Sequence, residues 1–331
     1  MPLLLSHPSS LLHETGWGHP ERVDRLHAIG AELERRDWLG FERREAPEVE
    51  LERLLAVHPR EHVDAVRETS ARAGAFDLDT PTSEGSWEAA LHSAGGAYAL
   101  VEALLGGGER AGFSILRPPG HHAERSRAMG FCLFANVSVA TRHALDSLGA
   151  SRVLVLDWDV HHGNGTNAIF HESPEVLFAS IHQYPFYPGT GPLSDVGSGA
   201  GEGFSINLPV PAGSGEDVFC GLVEHVVLPA ARSFDPDLVL VSAGYDAHRD
   251  DPVGGCALES ASFGELTRQV LTLGKPVGCV LEGGYDLDGL ASSVAATMEA
   301  LADGGSPGSH PRGPLVEEAA TVVERYWDLS A

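Results

Sequence analysis

Short runs of apolar residues with almost no polar alternation constrain this chain most. They are Leu3–Ser6, Gly112–Leu116, Arg152–Trp158, Val176–His182, Phe204–Leu208, Leu238–Ala243 and Val277–Leu281. A strand with one wet face alternates apolar and polar residues, whereas one apolar nearly throughout is covered on both faces, as in a parallel sheet. Helical patterns lie between the runs: Pro20–Arg36, Arg60–Ala73, Ser86–Leu105, Asn136–Leu148, Asp217–Ser233, Ser262–Leu273 and Leu287–Leu301. The longest opens on Ser86-Trp87-Glu88 and stops at Gly106-Gly107-Gly108, a C-terminal stop signal. The alternation predicts an α/β fold, a single-domain open parallel sheet with helices on both faces. No break is visible before residue 301. Residues 302–314 (ADGGSPGSHPRGP) predict a flexible linker to a docked helix, Leu315–Trp327, so that 1–331 form one domain.

Composition narrows the function. Asp and Glu number 47 against 22 Lys and Arg, the net charge is −25, and Lys275 is the only lysine. Without a basic face a nucleic-acid partner is excluded. No stretch reaches the 18 or so apolar residues of a membrane span, which excludes a membrane role, and Met1–His7 is no signal peptide. Cys132, Cys220, Cys256 and Cys279 are too scattered for a cysteine-zinc site, and the expected setting is reducing and cytoplasmic. The 17 histidines are a surplus that asks for a role.

Open α/β sheets bind ligands beyond the carboxyl ends of their strands. Gly112–Leu116 runs into Arg117-Pro118-Pro119-Gly120-His121-His122, and Arg152–Leu156 into Asp157-Trp158-Asp159-Val160-His161-His162-Gly163-Asn164. His182 follows Val176–Ser180, Gly244-Tyr245-Asp246 follows Leu238–Ala243, and Glu282-Gly283-Gly284-Tyr285-Asp286 follows Val277–Leu281. In extended backbone residues two apart face the same way, so Asp157, Asp159 and His161 could point together. Asp159 with His161 makes a ligand pair, and Asp246 is the best third ligand. Two carboxylates and one imidazole with an open position suit zinc, and would also accept Fe(II) or Co(II).

Taken together, RPPGHHAE (117–124), GFCLFANV (130–137), DWDVHHGNGT (157–166), SAGYDAHRDDP (242–252) and LEGGYDL (281–287) resemble the histone deacetylase superfamily of the arginase/deacetylase fold. The resemblance runs from His19-Pro20-Glu21-Arg22 to about Leu301, and is to class II deacetylases and bacterial histone-deacetylase-like amidohydrolases. It implies one catalytic zinc on Asp159, His161 and Asp246, and His122 as general base and then general acid beside an electrostatic partner, His121. It further implies Tyr285 as donor to the oxyanion, Asp157 paired with His121, and Asn164 paired with His122. Some relatives carry Asp where this chain has Asn164. A potassium ion is implied near Asp157, Asp159, His161, Ser180 and Ile181. The substrate tunnel would be lined by Gly130, Phe131 and Tyr187, with Asp79 at the rim.

The implied reaction is hydrolysis of the amide of an N-acetyl (acyl) amine: acetyl-lysine in a protein or peptide first, with acetylpolyamines or other small-molecule amides as the alternative. Polyamine-specialised relatives can carry an acidic gatekeeper in the loop after the third ligand, where this chain has apolar Val253, which weakens that reading. An acidic surface attracts either cationic substrate. Two rivals are a binuclear-manganese ureohydrolase, which would need further ligands, and a non-catalytic binding module, which would be expected to lack a ligand, a catalytic His or the Tyr. The sequence leaves self-association into a homo-oligomer open.

Overall fold

The computed structural model describes residues 1–330. Its strands are β1 (Leu3–Ser6), β2 (Glu42–Glu45), β3 (Ala111–Ser114), β4 (Val153–Asp157), β5 (Val176–Gln183), β6 (Ser205–Val210), β7 (Leu238–Ala243) and β8 (Val277–Leu281). They form one eight-stranded sheet in the order β2-β1-β3-β8-β7-β4-β5-β6, parallel throughout. The helices are α1 (Asp24–Arg35), α2 (Leu51–Leu55), α3 (Arg60–Ala71), α4 (Ser86–Leu105), α5 (Asn136–Ser147), α6 (Asn164–Phe170), α7 (Glu216–Leu222), α8 (Leu228–Phe234), α9 (Ser260–Leu271), α10 (Leu287–Asp303) and α11 (Pro314–Val323). A single π-helical turn, Val223–Val227, joins α7 and α8 into the one long helix that the sequence pattern predicts.

The reason for the unbroken apolar runs is visible in the core. Leu154 and Leu156 of β4 pack on one face with Ile29 of α1, Phe219 of α7, Leu266 of α9 and Val294 of α10. Their neighbours Val153 and Val155 pack on the other with Leu100 of α4 and Val137 of α5. Each such side chain contributes roughly 1.5–3 kcal/mol when fully buried. β2 is different: its sequence is Glu-Arg-Arg-Glu, it is largely exposed, and it pairs only with β1, so no apolar run announces it.

Element ends differ from the predicted ones by a few residues, and two such shifts lie near the C-terminus. α10 continues to Asp303, so the connecting segment starts at Gly304 rather than 302. It is tied to the body: Gly308 N–H donates to Glu265, and His310 N–H donates to Glu224 Oε2 at 2.7 Å. The last helix stops at Val323 rather than Trp327, because the chain turns to place Trp327 against Phe204 and Phe234 and to let Trp327 Nε1 donate to Gly203 O.

Because every strand is parallel, the carboxyl ends of β3, β4, β5, β7 and β8 lie on one side of the sheet. The predicted chemistry-bearing residues therefore meet there.

Candidate active site

The chain leaves β4 at Asp157, and its next residues bend rather than extend the strand. Strand alternation consequently stops applying, and Asp157 does not point with Asp159 and His161. Its Oδ1 accepts from Asp159 N–H (3.1 Å), and its Oδ2 meets His121 Nδ1 at 3.0 Å. Asp159 and His161 do come together, and Asp246, three residues beyond β7, joins them. The ligand atoms of the three lie within 4.8 Å of one another, and all three residues are buried. His161 Nδ1 is 3.0 Å from Asp159 Oδ1 and 3.1 Å from Asp246 Oδ2.

Backbone groups aim these carboxylates. Val160 N–H donates to Asp246 Oδ1 (2.8 Å), His161 N–H to Asp159 Oδ1 (2.9 Å), and Gly283 N–H to Asp159 Oδ2 (2.9 Å). Gly283 has to be glycine, since a Cβ there would sit 2.2 Å from Asp246 Oδ2 and 2.6 Å from Asp159 Oδ2. Burial and the adjacent Asp159 charge push the Asp246 carboxyl up to about 7. For His161 burial works the other way, yet hydrogen bonds to Asp159 and Asp246 raise it to about 10. Two buried carboxylates around one imidazole thus favour positive charge at this point. The donor set, two oxygens and one nitrogen, fits zinc.

The histidine pair is split by its surroundings. Burial disfavours a charge on His121, but the Asp159 and Asp157 carboxylates outweigh it and hold its pKa well above the ordinary imidazole value. His122 is driven well below that value by burial and by its neighbours His121 and His161. Its tautomer follows from the hydrogen bonds. Asn164 Nδ2 donates to Glu124 Oε1 at 2.8 Å, which turns the amide oxygen towards His122 Nδ1, 2.7 Å away. His122 Nδ1–H therefore donates, leaving Nε2 with its lone pair, the arrangement a general base requires. Two groups of one kind pushed apart in pKa mark an acid–base site.

A narrow cavity of ≈ 160 Å³ opens over these groups, walled by Phe131, Phe186, Tyr187 and Val253, with His122, His161 and Tyr285 also lining it. Gly130 and Asp79 complete the wall, so every substrate-contact residue expected from the sequence lies here. Gly130 (φ +56°) could not be replaced without its Cβ meeting the His122 ring at 2.5 Å. The implied potassium residues are also neighbours, since β4 and β5 pair Asp157 with Ser180. Larger hollows exist, such as one of ≈ 550 Å³ beside His62, Phe76 and Arg127, but they gather no such set of groups.

Sequence reasoning missed several supports. Phe186 stacks on the His161 ring (5.4 Å, 16°), whereas the sequence points only to its neighbour Tyr187. Glu282 accepts from Gly120 N–H (2.6 Å) and His121 N–H (3.1 Å), holding the histidine loop. Behind Tyr285 lies a fully buried ion cluster. Glu21 pairs with Arg117 and with Arg25 (3.0 Å), and Arg25 donates to the carbonyls of Gly284 (2.7 Å) and Glu282 (2.5 Å). The Arg25 guanidinium stands 5.1 Å from the Tyr285 ring centroid. In the sequence this cluster shows only through Arg117 of RPPGHHAE and through His19-Pro20-Glu21-Arg22, in which His19 packs edge-on to Phe131 and meets Asp79 O at 3.2 Å.

Known proteins resemble this chain in sequence and fold. Residues 19–301 match the family described as the histone deacetylase domain. "Histone deacetylase 15" of Arabidopsis thaliana is 43% identical over 293 residues, covering 86% of this chain and 52% of that protein. "Polyamine deacetylase HDAC10" of Homo sapiens is 40% identical over 339 residues, covering 94% of this chain and 50% of that protein. The chain thus spans about half the length of these curated relatives. Among solved structures, one titled "Crystal Structure of HDA15 HD domain" superposes with a TM-score of 0.93 at 38% identity, covering 98% of this chain and 95% of that one. The parallel eight-stranded sheet is the histone deacetylase domain fold, and this chain belongs to the histone deacetylase family.

Proposed function

We propose that the chain is a zinc-dependent amidohydrolase that removes acetyl groups from N-acetylated amines, with acetyl-lysine side chains of proteins or peptides as its main substrates. One observation carries this reading: Asp159, His161 and Asp246 converge, and His161 of that group lines a narrow apolar-walled cavity that His122 and Tyr285 also line. Asp159, His161 and Asp246 would hold the zinc, which when bound supplies Lewis-acid polarisation of the acetyl carbonyl and a lowered pKa for water. His122 Nε2 takes the proton of the attacking water and returns it to the leaving amine. His121, kept charged by Asp157 and Asp159, stabilises the negative charge that develops beside it. The Tyr285 hydroxyl donates to the oxyanion. Phe131, Phe186 and Tyr187 enclose an aliphatic stem, and Asp79 at the rim accepts from substrate N–H groups. Asp157, buried and raised to about 6 by burial against the opposing pull of His121, would hold a potassium ion together with Asp159, His161, Ser180 and Ile181.

Four buried free thiols, Cys132, Cys220, Cys256 and Cys279, fit a reducing, cytoplasmic setting. The human polyamine deacetylase keeps acetylpolyamines as the second reading. Against it, Val253 rather than a carboxylate faces the cavity at the place where a gatekeeper would pair with a secondary ammonium. The test is a comparison of kcat/KM on acetyl-lysine peptide, longer acyl-lysine peptides, N-acetylpolyamines and simple acetamides, with metal counted on the same preparation. Preference for the peptide with zinc bound is expected. No turnover of any amide by zinc-loaded protein would refute the proposal, as would two manganese per chain with urea release.

A further inference from the structure

Two large apolar side chains, Trp17 and Leu78, stand wholly in solvent, and both belong to loops that build the mouth of the cavity. His19 joins those loops. Its Nδ1 accepts from Glu21 N–H (3.1 Å), its Nε2–H donates to Asp79 O (3.2 Å), and its ring packs edge-on to Phe131, with centroids 4.7 Å apart. Trp17 lies two residues before His19, and Leu78 is next to Asp79. The Trp17 loop is built to project. Gly16 and Gly18 have φ of +94° and +78°, and His19 N–H closes the turn on Gly16 O (3.4 Å). Left-handed backbone on either side of Trp17 leaves its indole pointing away from the body. Each of the two residues also borders a hollow. Trp17 lines one of ≈ 600 Å³ together with Val23. Leu78 lies between Asp79, which lines the cavity, and Asp77, which lines the hollow of ≈ 550 Å³ beside Phe76. Both hollows are acidic: Glu14 and Asp24 face Arg22 in the first, and Glu61 and Asp77 face Arg127 in the second.

We propose that Trp17 and Leu78 form a two-point apolar clamp for the polypeptide that carries the acetyl-lysine. The enzyme then selects segments with a large apolar residue close to that lysine and a basic residue beyond it. The inference rests on the proposed function, and within it separates a peptide substrate from a small amine. An acetyl-lysine whose stem fills the cavity draws its chain neighbours across the rim. In an extended segment a residue two positions along stands about 7 Å from the lysine, within reach of both loops. An acetylpolyamine has no side chain to place there. Single exposed apolar residues scattered over a surface are ordinary. Here the two wholly exposed ones sit on loops that one histidine fastens to the cavity wall. Tryptophan is also among the residues that dominate binding when an interface covers them. The carboxylates of the two hollows outnumber their arginines, which favours a basic residue past the apolar one.

The test compares kcat/KM on three amides with zinc-loaded full-length protein. They are acetyl-lysine capped at both ends, a heptapeptide with acetyl-lysine at its centre and leucine two positions to either side, and the same peptide with serine for leucine. Wild type should prefer the leucine peptide to the serine peptide about tenfold, mainly through KM. In Trp17→Ala and in Leu78→Ser the ratio of leucine peptide to capped acetyl-lysine should fall roughly three- to tenfold. That ratio does not depend on how much of a preparation is folded or loaded. Fluorescence anisotropy of a labelled leucine peptide reads the same contrast as binding, without turnover. Failure to hydrolyse any of the three would count against the proposed function, and the anisotropy would still decide the clamp. Equal binding of the leucine and serine peptides by wild type, or a ratio in either variant that matches wild type, would overturn the proposal. So would a dimer in sedimentation that Trp17→Ala dissolves, since the surface would then belong to a second copy of the chain.

Discussion

Asn164 offers His122 an amide oxygen at 2.7 Å, where a carboxylate would satisfy the same geometry. The difference is electrostatic, because an amide orients the imidazole without stabilising its cation. Asn164→Asp should therefore raise the pKa of His122 and move the acidic limb of the kcat/KM profile to higher pH. An unchanged acidic limb would contradict this role. Tyr285→Phe removes one oxyanion donor and should lower kcat by roughly 10²–10³-fold with little change in KM. The histidines, the ligands and the tyrosine were legible because strand ends in a parallel sheet converge, so their types could be read by position. Glu282 and Glu124 were not. A buried carboxylate that orients backbone amides or turns an asparagine has no spacing to distinguish it from a solvated one.

At the scale of elements, strands covered on both faces were plain in the sequence and β2 was not, since an exposed edge strand can be all charge. The short helices α2 and α6 escaped notice as well, the second because Gly-Asn-Gly at its start reads as loop. The motif Asp157-x-Asp159-x-His161 misled for a different reason: alternation holds only while the backbone stays extended, and β4 ends at the first of the three. The turn after β8 packs against the ligands so closely that Gly283→Ala should displace Asp159 or Asp246. Its expected result is loss of bound zinc in a folded protein, seen by metal analysis alongside an unchanged far-UV circular dichroism spectrum. Glu21 links the segment before α1 to the loops after β3 and β8. Glu21→Gln would leave two buried arginines without their counter-charge, a loss that typically costs about 3–5 kcal/mol. Denaturant unfolding measures it, and a change within error would mean that the cluster relaxes towards water.

The whole molecule accounts for most of the histidine surplus. His58 donates through Nδ1 to Arg125 O (3.0 Å) and accepts at Nε2 from Ala135 N–H (3.0 Å), a buried bridge that works only when neutral. Burial, with His62 beside it, takes its pKa down to about 3, and burial takes His13 to about 4 although Glu21 opposes. Unfolded, these histidines bind a proton near pH 6.5. As pH falls from there to about 3–4 the unfolded chain gains protons that the folded chain refuses, so stability should decline from about pH 6.5 downwards. A urea midpoint that held level to pH 5 would contradict this, and His58→Gln should flatten part of the slope. Glu21, kept near 2 by the Arg117 and Arg25 charges despite burial, adds its loss between about pH 4.5 and 2. The two margins of the sheet are finished in opposite ways. β2 presents Arg43, Arg44 and glutamates to solvent, a row of charge on which a further strand would not settle, whereas β6 relies on α11 and on Trp327 packed against Phe204. A chain cut after Asp303 would accordingly bare a sticky ribbon on one side alone, and should precipitate by joining through β6 while its reaction centre, at the other strands' ends, is still built.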